Sequence, residues 1–281
     1  MTRPADEQVL EAGWVDRHYW RDLWQYRELL YILSWRDLAV RYKQTAVGIA
    51  WALLQPLAQM AVMVVVFSSL AKLPSEAGAP YALLVFAAML PWQFFSTSLA
   101  AASASIVGSA GLISKVYFPR LIVPAAAVVT SFVDFLIAFA ILAGLMLWYG
   151  HLPQWRMLTL PAFMALAILA AFGPGLLLTA LNARYRDVRF VVPFLLQIAL
   201  YVSPVGFSGN LVRERFGDAA YLLYSLNPMV GVIDGFRWAI LGGSARLDLQ
   251  ALLASLIVST ALLAIGLGYF RRVERTFADT V

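Results

Sequence analysis

Residues 103–124 read SASIVGSAGLISKVYFPRLIVP. The interval is mildly polar, carries Lys115 and Arg120, and is wedged between two long apolar runs. Its small and apolar residues, ended by Pro119, predict a short amphipathic helix within 103–119 that breaks where the next apolar segment begins. With a membrane on either side of it in sequence, this interval is a connection placed to receive a push from a soluble partner.

Composition supports the membrane. Apolar residues make up 62% of the 281-residue chain and charged residues 13%, against about half and about a quarter in an ordinary soluble domain. Mean hydropathy is +0.76, so the useful unit of length is a span of roughly 20 residues. A net charge of +5 would suit nucleic acid, but the basic residues are dispersed and flank apolar runs, which membrane topology explains better. Without cysteine there are no disulfides, zinc thiolates or cysteine nucleophiles. The opening MTRPADEQVLEAGWVDRHYW lacks the apolar core of a signal peptide and is expected to stay in the cytoplasm.

Apolar runs outward from the opening stretch predict an all-α membrane protein with six spans, at about 46–70, 81–102, 121–149, 157–181, 188–205 and 249–270. Pro91 and Trp92 interrupt the second, and Gly173 and Gly175 around Pro174 mark the fourth as flexible. The fifth is short for a crossing. Residues 1–43 form a cytoplasmic N-terminus in which Trp20, Trp24, Leu30 and Trp35 alternate at helical spacing with Arg21, Arg27 and Arg36. That pattern describes an amphipathic helix in the headgroup zone, a soluble helix packed on another domain being the alternative. Ser34 with Asp37 fits a capping box that opens a new helix after a bend.

Residues 206–246 are too long and too apolar for a plain loop. Within YLLYSLNPMVGVIDGFRWAIL, 221–241, Asn227 and Pro228 break the run and Asp234 and Arg237 sit one turn apart. Two re-entrant half-helices on the outer side are expected, since a broken backbone is tolerated at membrane depth only where protein or water shields it. Of 21 Lys and Arg, 15 lie in the N-terminal segment, 103–120, 182–189 and the tail after 270. That asymmetry predicts both termini in the cytoplasm.

Polar residues inside the spans fall on shared faces: Gly48, Trp51, Gln55 and Gln59 in the first, Thr130, Ser131 and Asp134 in the third, Pro193, Gln197 and Tyr201 in the fifth. At about 1.5 Å per residue, Gln59, Asp134 and Tyr201 reach a common depth of roughly 20 Å. A carboxylate near mid-bilayer costs at least about 2.5 kcal/mol, so Asp134 should face a bundle interior or water. Amides, an acid and aromatic faces suit a path for sugars. The candidate channel residues are Trp51, Gln55, Gln59, Phe94, Phe95, Asp134, Gln197 and Tyr201, the alternative being that Gln and Ser glue helices together.

Several chemistries are excluded. None of the three lysines follows glycine, so no Walker phosphate loop exists. His18 and His151 are far apart, and no Gly-x-Ser-x-Gly occurs. The chain reads as a transport component, with no metal site or cofactor of its own.

RYKQTAVGIAWALLQPL, LPWQFFS, LISKVYFPRLIVP, LNARYRDVRFVVPFLLQ and NPMVGVIDGFRWAILG together resemble the permease subunits of type-2 ABC exporters, which move lipid-linked O-antigen, capsular polysaccharide or teichoic acid. The resemblance runs from about Leu30 to Gly242. It implies a homodimer in the bacterial inner membrane, two copies of a separate ATPase that holds ATP and Mg, and a coupling helix within 103–119. Ser114, Lys115, Val116, Tyr117 and Arg120 are then the candidates for ATPase contact. Arg41, Tyr42 and Lys43, at the cytoplasmic mouth, are candidates for the pyrophosphate of a polyprenyl-linked glycan, plain positive-inside topology being the alternative. Two other classes compete: an ion-coupled secondary transporter using Asp134, and a membrane glycosyltransferase, for which the outer side offers only Glu76, Glu214, Asp218 and Asp248.

Overall fold

The computed structural model describes residues 17–43, 48–73, 75, 78–243, 247–274 and 277. Residues 1–16, Glu76, Arg246 and the side chain of Trp51 lie outside that description. Every regular element among the described residues is helical: α1 (Arg17–Gln25), α2 (Arg27–Lys43), α3 (Gly48–Val64, continued by a π-helical Val65–Leu70), α4 (Tyr81–Gly108), α5 (Ala110–Ile113), α6 (Ile122–Trp148), α7 (Leu160–Arg184, led by a 3-10 turn at Trp155–Thr159), α8 (Val188–Val202), α9 (Gly209–Tyr224), α10 (Pro228–Leu241) and α11 (Leu249–Val273).

Among the described residues, five stretches are long and apolar enough to cross a bilayer: Leu53–Leu70, Tyr81–Gly108, Ile122–Trp148, Trp155–Arg184 and Leu249–Val273. The expected fifth span is α8, at 15 residues. Its rise of about 22 Å falls short of a hydrocarbon core of about 30 Å. α8 nevertheless begins beside the end of α7, where Asn182 Nδ2 donates to Ser103 O at 2.8 Å, and ends where Tyr81 Oη donates to Gly206 O at 2.6 Å. Those two points lie at opposite ends of α4.

α4 is the centre of the molecule. A helix apolar on all sides is stable only if it is covered on all sides, and Leu83, Val85, Ala87 and Ala88 are each fully buried, between α6, α7 and α10. Phe94 meets Phe132 and Phe135 edge-on, and Phe135 in turn stacks on Phe139. α7 packs on α4 through Thr179 Oγ1, which donates to Ala102 O at 2.7 Å. α7 and α11 approach backbone to backbone: a β-carbon on Gly173 would lie 2.7 Å from the Leu262 carbonyl carbon. Small residues let helices close this far where lipid gives no hydrophobic drive to associate.

Local breaks read from the sequence give way to packing at several points. α4 runs unbroken through Pro91 and continues past residue 102 to Gly108, and α7 runs through Pro174. Gly173 is therefore a contact with α11 rather than half of a flexible pair. A proline costs a helix one backbone bond, and neighbouring helices absorb that loss. The N-terminal bend falls at Tyr26, between α1 and α2, not at Ser34. Ser34 is buried mid-helix and its hydroxyl donates back to Leu30 O at 2.8 Å, the alternative bonding that serine adopts inside helices. The break at Asn227 stands as expected. Its Oδ1 accepts the Met229 N–H at 3.0 Å, capping α10 with Pro228 at the first helical position.

Candidate functional site

α2 does not lie apart from the bundle. Leu33 joins a buried cluster with Ile106, Ile113, Phe118, Ile122 and Val123, while Arg41, two turns further on, reaches Asp134. The two helices therefore run in the same direction, α2 rising along the first half of α6. Asp134 is 12 residues into α6, about 18 Å along its axis. Its Oδ2 accepts from Arg41 Nη1 and its Oδ1 from the Tyr42 hydroxyl. The acid and two of the three residues expected at the mouth thus form one cluster. An intramembrane carboxylate is tolerated when paired in this way. Lys43 remains exposed.

Asp134→Asn should therefore lower the melting temperature by leaving Arg41 without its counter-charge, a cost of about 1–3 kcal/mol. Thermal melting of D134N, R41A and the double variant forms a cycle. A coupling above about 0.5 kcal/mol marks the pair as real, and additivity within that margin marks it as inert.

Below the ion pair, a cavity of about 460 Å³ opens between α2, the last turns of α4 and the start of α6. Arg36, Asp37, Arg41, Ser105 and Thr130 line it among small residues. Arg36 is paired with Asp37 at 2.9 Å. The cavity is wide enough for part of an amphiphile and presents cations and hydroxyls to it.

A second set of side chains faces outward. Gln55 and Gln59 on α3, and Pro193, Gln197 and Tyr201 on α8, are exposed, Tyr201 by 64%. Phe94 and Phe95, expected with them in the channel wall, are instead 1% and 8% exposed and belong to the central core. They sit on α4, which every neighbour covers, so they pack helices together and face no path.

The stretch that opened the sequence forms less helix than expected. α5 has four residues, after which Ser114, Lys115, Val116 and Tyr117 lie exposed in a turn and irregular backbone, held from beneath by buried Phe118 and Pro119. Arg120 is not free with them. Its backbone N–H donates to Glu274 Oε1 at 2.9 Å and its guanidinium donates to the Glu274 carbonyl. Tyr19 Oη donates to the same carboxylate at 3.1 and 3.2 Å. Burial pushes the Glu274 carboxyl up, against the Arg120 N–H, Arg271 and Tyr19, which pull it down.

Apart from Tyr19, Arg271 and Glu274, these features lie within one recognisable unit, since residues 28–241 match the ABC-2 type transporter family from α2 to the end of α10. The chain belongs to the ABC-2 type transporter family. Among curated relatives, the "O-antigen export system permease protein RfbA" of Myxococcus xanthus is 28% identical over 93% of this chain and 98% of its own length. The protein of that name from Klebsiella pneumoniae is 24% identical over 90% of this chain and 94% of its own. The "Polysialic acid transport protein KpsM" of Escherichia coli is 24% identical over 85% and 91%. As an ABC-2 permease, the chain is a multi-pass membrane subunit that does not itself hydrolyse nucleotide. Among its described residues no group of three or more His, Cys, Asp or Glu is placed to hold a metal ion.

At the other end of this ABC-2 chain is a polar cluster that the sequence hinted at only through the Asp234–Arg237 spacing. Arg237 is 2% exposed. It donates to Phe207 O at 2.8 Å, Val205 O at 3.0 Å and Leu84 O at 3.4 Å. It thereby ties α10 to the start of α4 and to the linker after α8. Nearby, Asp248 caps α11 by accepting the N–H groups of Gln250 and Ala251, and Arg213 Nη2 binds it at 2.6 Å. Burial pushes the Asp248 carboxyl up, but the Ala251 N–H and Arg213 outweigh it and hold the group below its ordinary value.

Proposed function

We propose that this chain is the membrane permease of an ABC exporter that moves a polysaccharide, carried on a polyprenyl diphosphate, out of the cytoplasm. The observation that carries the reading is the polar face that α3 and α8 each leave exposed. Gln55, Gln59 and Gln197 would be costly against lipid, and within the single chain the helices bearing them turn that face away from the core. A second copy placed over α3 and α8 converts an expensive surface into a shared, amide-lined path with Tyr201 as an aromatic wall for sugar rings. The relatives' O-antigen and polysialic acid names support a glycan, O-antigen first.

Six crossings follow if α8 completes its span with the extended residues beside it, and its run from the Ser103 end of α4 to the Tyr81 end supports this. α9 and α10 then form the re-entrant outer element, and both termini lie in the cytoplasm, with the chain in the inner membrane. Two copies of a separate subunit would bind ATP and Mg and dock on residues 114–117. The cavity under Arg41 would admit the carrier's diphosphate end, with Lys43 exposed two residues further along α2. An ion-coupled carrier built on Asp134 is less well supported, because Arg41 and Tyr42 already occupy that carboxylate.

Gln59→Leu and Tyr201→Leu test the path. Each should cut glycan export by about tenfold or more while protein abundance in the membrane stays within about twofold of wild type, since the residues touch no core. Parallel losses of export and abundance would assign both residues to packing.

A further inference from the structure

We infer that Glu274 is a positioning residue that joins the exposed 114–117 loop to the N-terminal helix α1, so that a push on the loop is delivered to α1 and α2 as well as to α4 and α6. This rests on the reading of that loop as the docking point of a nucleotide-hydrolysing subunit.

Three segments far apart in sequence converge on this one side chain. Tyr19 comes from α1, Arg120 from the residues just after the loop, and Glu274 from the end of α11. The Arg271 guanidinium lies 3.5 Å from the centroid of the Tyr19 ring, closing the junction from the α11 side. Beneath it, Phe118, Phe270 and Phe277 are buried together, the last two rings 5.4 Å apart. The loop therefore shows one face to the surface, with Lys115, Val116 and Tyr117 exposed, and is fixed on the other to the end of α11 and to α1.

Two physical points make this a brace rather than a chance contact. α5 has four residues, a single turn without the cooperative stability of a longer helix, so by itself it would bend under load instead of passing it on. And an acid is the unfavourable residue type at a helix C-terminus, where the macrodipole already places negative charge. What favours Glu274 there is its contacts, charge-assisted and formed with two other elements at once. α1 leads through Tyr26 into α2, and the end of α2 holds Asp134. The junction thus connects the loop to the intramembrane ion pair through two helices joined at the Tyr26 bend.

The test uses the full chain, reconstituted in liposomes with the ATP-hydrolysing subunit that copurifies with it, and reads glycan exported per ATP hydrolysed. Glu274→Ala should lower that ratio by about five- to tenfold. Glu274→Gln, which keeps an acceptor for Arg120 and Tyr19, should restore most of it, and Tyr19→Phe should lower it in the same direction as Glu274→Ala. An unchanged ratio in Glu274→Ala overturns the inference. A second readout needs no partner. With no native cysteine, Trp24→Cys and Val116→Cys, both exposed, can be spin-labelled and their separation measured by pulsed electron paramagnetic resonance. The distribution should be narrow in the wild-type background and broad with Glu274→Ala. Equal widths overturn the junction, whereas a broadened distribution in a chain that copurifies with no ATP-hydrolysing subunit supports the junction and overturns only the docking reading.

Discussion

Gly266→Val should leave almost no folded transporter in the membrane. At this point α11 crosses α7, and a β-carbon on residue 266 would fall well inside van der Waals contact distance of the Gly173 carbonyl oxygen, with the Leu177 nitrogen 3.4 Å away. The obstructing atoms are backbone, so no rotamer change relieves them, and the two helices must part along their length. Overpacking a core with side chains alone costs about 1–3 kcal/mol. Here the separation also strips the α7–α11 contact that anchors the last span, so the loss should exceed that range. Size-exclusion profiles and melting of the detergent-extracted chain measure it. Gly144→Ala is the control, because nothing lies within 4 Å of a β-carbon there, and it should melt at or slightly above wild type. A Gly266→Val protein with a normal profile and melting point would mean that α7 and α11 do not meet at these glycines.

The second large effect is expected at Arg237. Arg237→Leu removes the donors that Leu84, Val205 and Phe207 carbonyls share, at about 1–3 kcal/mol for each acceptor left buried and unsatisfied. It also takes a buried positive charge from beside Asp234. A loss of at least about 3 kcal/mol is therefore expected, and hydrogen exchange should rise first in residues 203–208, the linker that the guanidinium holds. Arg237→Lys should recover only part of this, because an ammonium cannot present a planar fork of donors to separated carbonyls. Arg237→Leu with unchanged exchange in 203–208 would show that the linker is held by other contacts.

Much of this was visible in the residues in order, and the limits have physical causes. The apolar runs mapped to helices because burial against lipid demands length and composition that are local properties. The Asn227–Pro228 break was legible because a capping asparagine and a proline act on their own turn. Phe94 and Phe95 were misplaced because an aromatic side chain serves a sugar path or a core equally well, and only the neighbours of α4 decide between them. Ser34 and Asp37 match a capping box in spacing, yet Ser34 lies mid-helix because α2 packs continuously along α6. The Arg41–Tyr42–Asp134 cluster was present in the sequence as three candidates assigned to two places. Nothing local says that α2 climbs beside α6.

The sequence by itself determined that the chain is helical, membrane-embedded and without a nucleotide-hydrolysing loop of its own, because hydropathy, charge asymmetry and the missing Gly-Lys motif are read residue by residue. Only the tertiary structure decided which polar groups are paired and which are exposed. Asp134, Arg237 and Glu274 look alike in a sequence, as charges within or beside apolar runs. What separates them is which distant helix end comes within about 3 Å, and that is settled by the packing of the whole bundle.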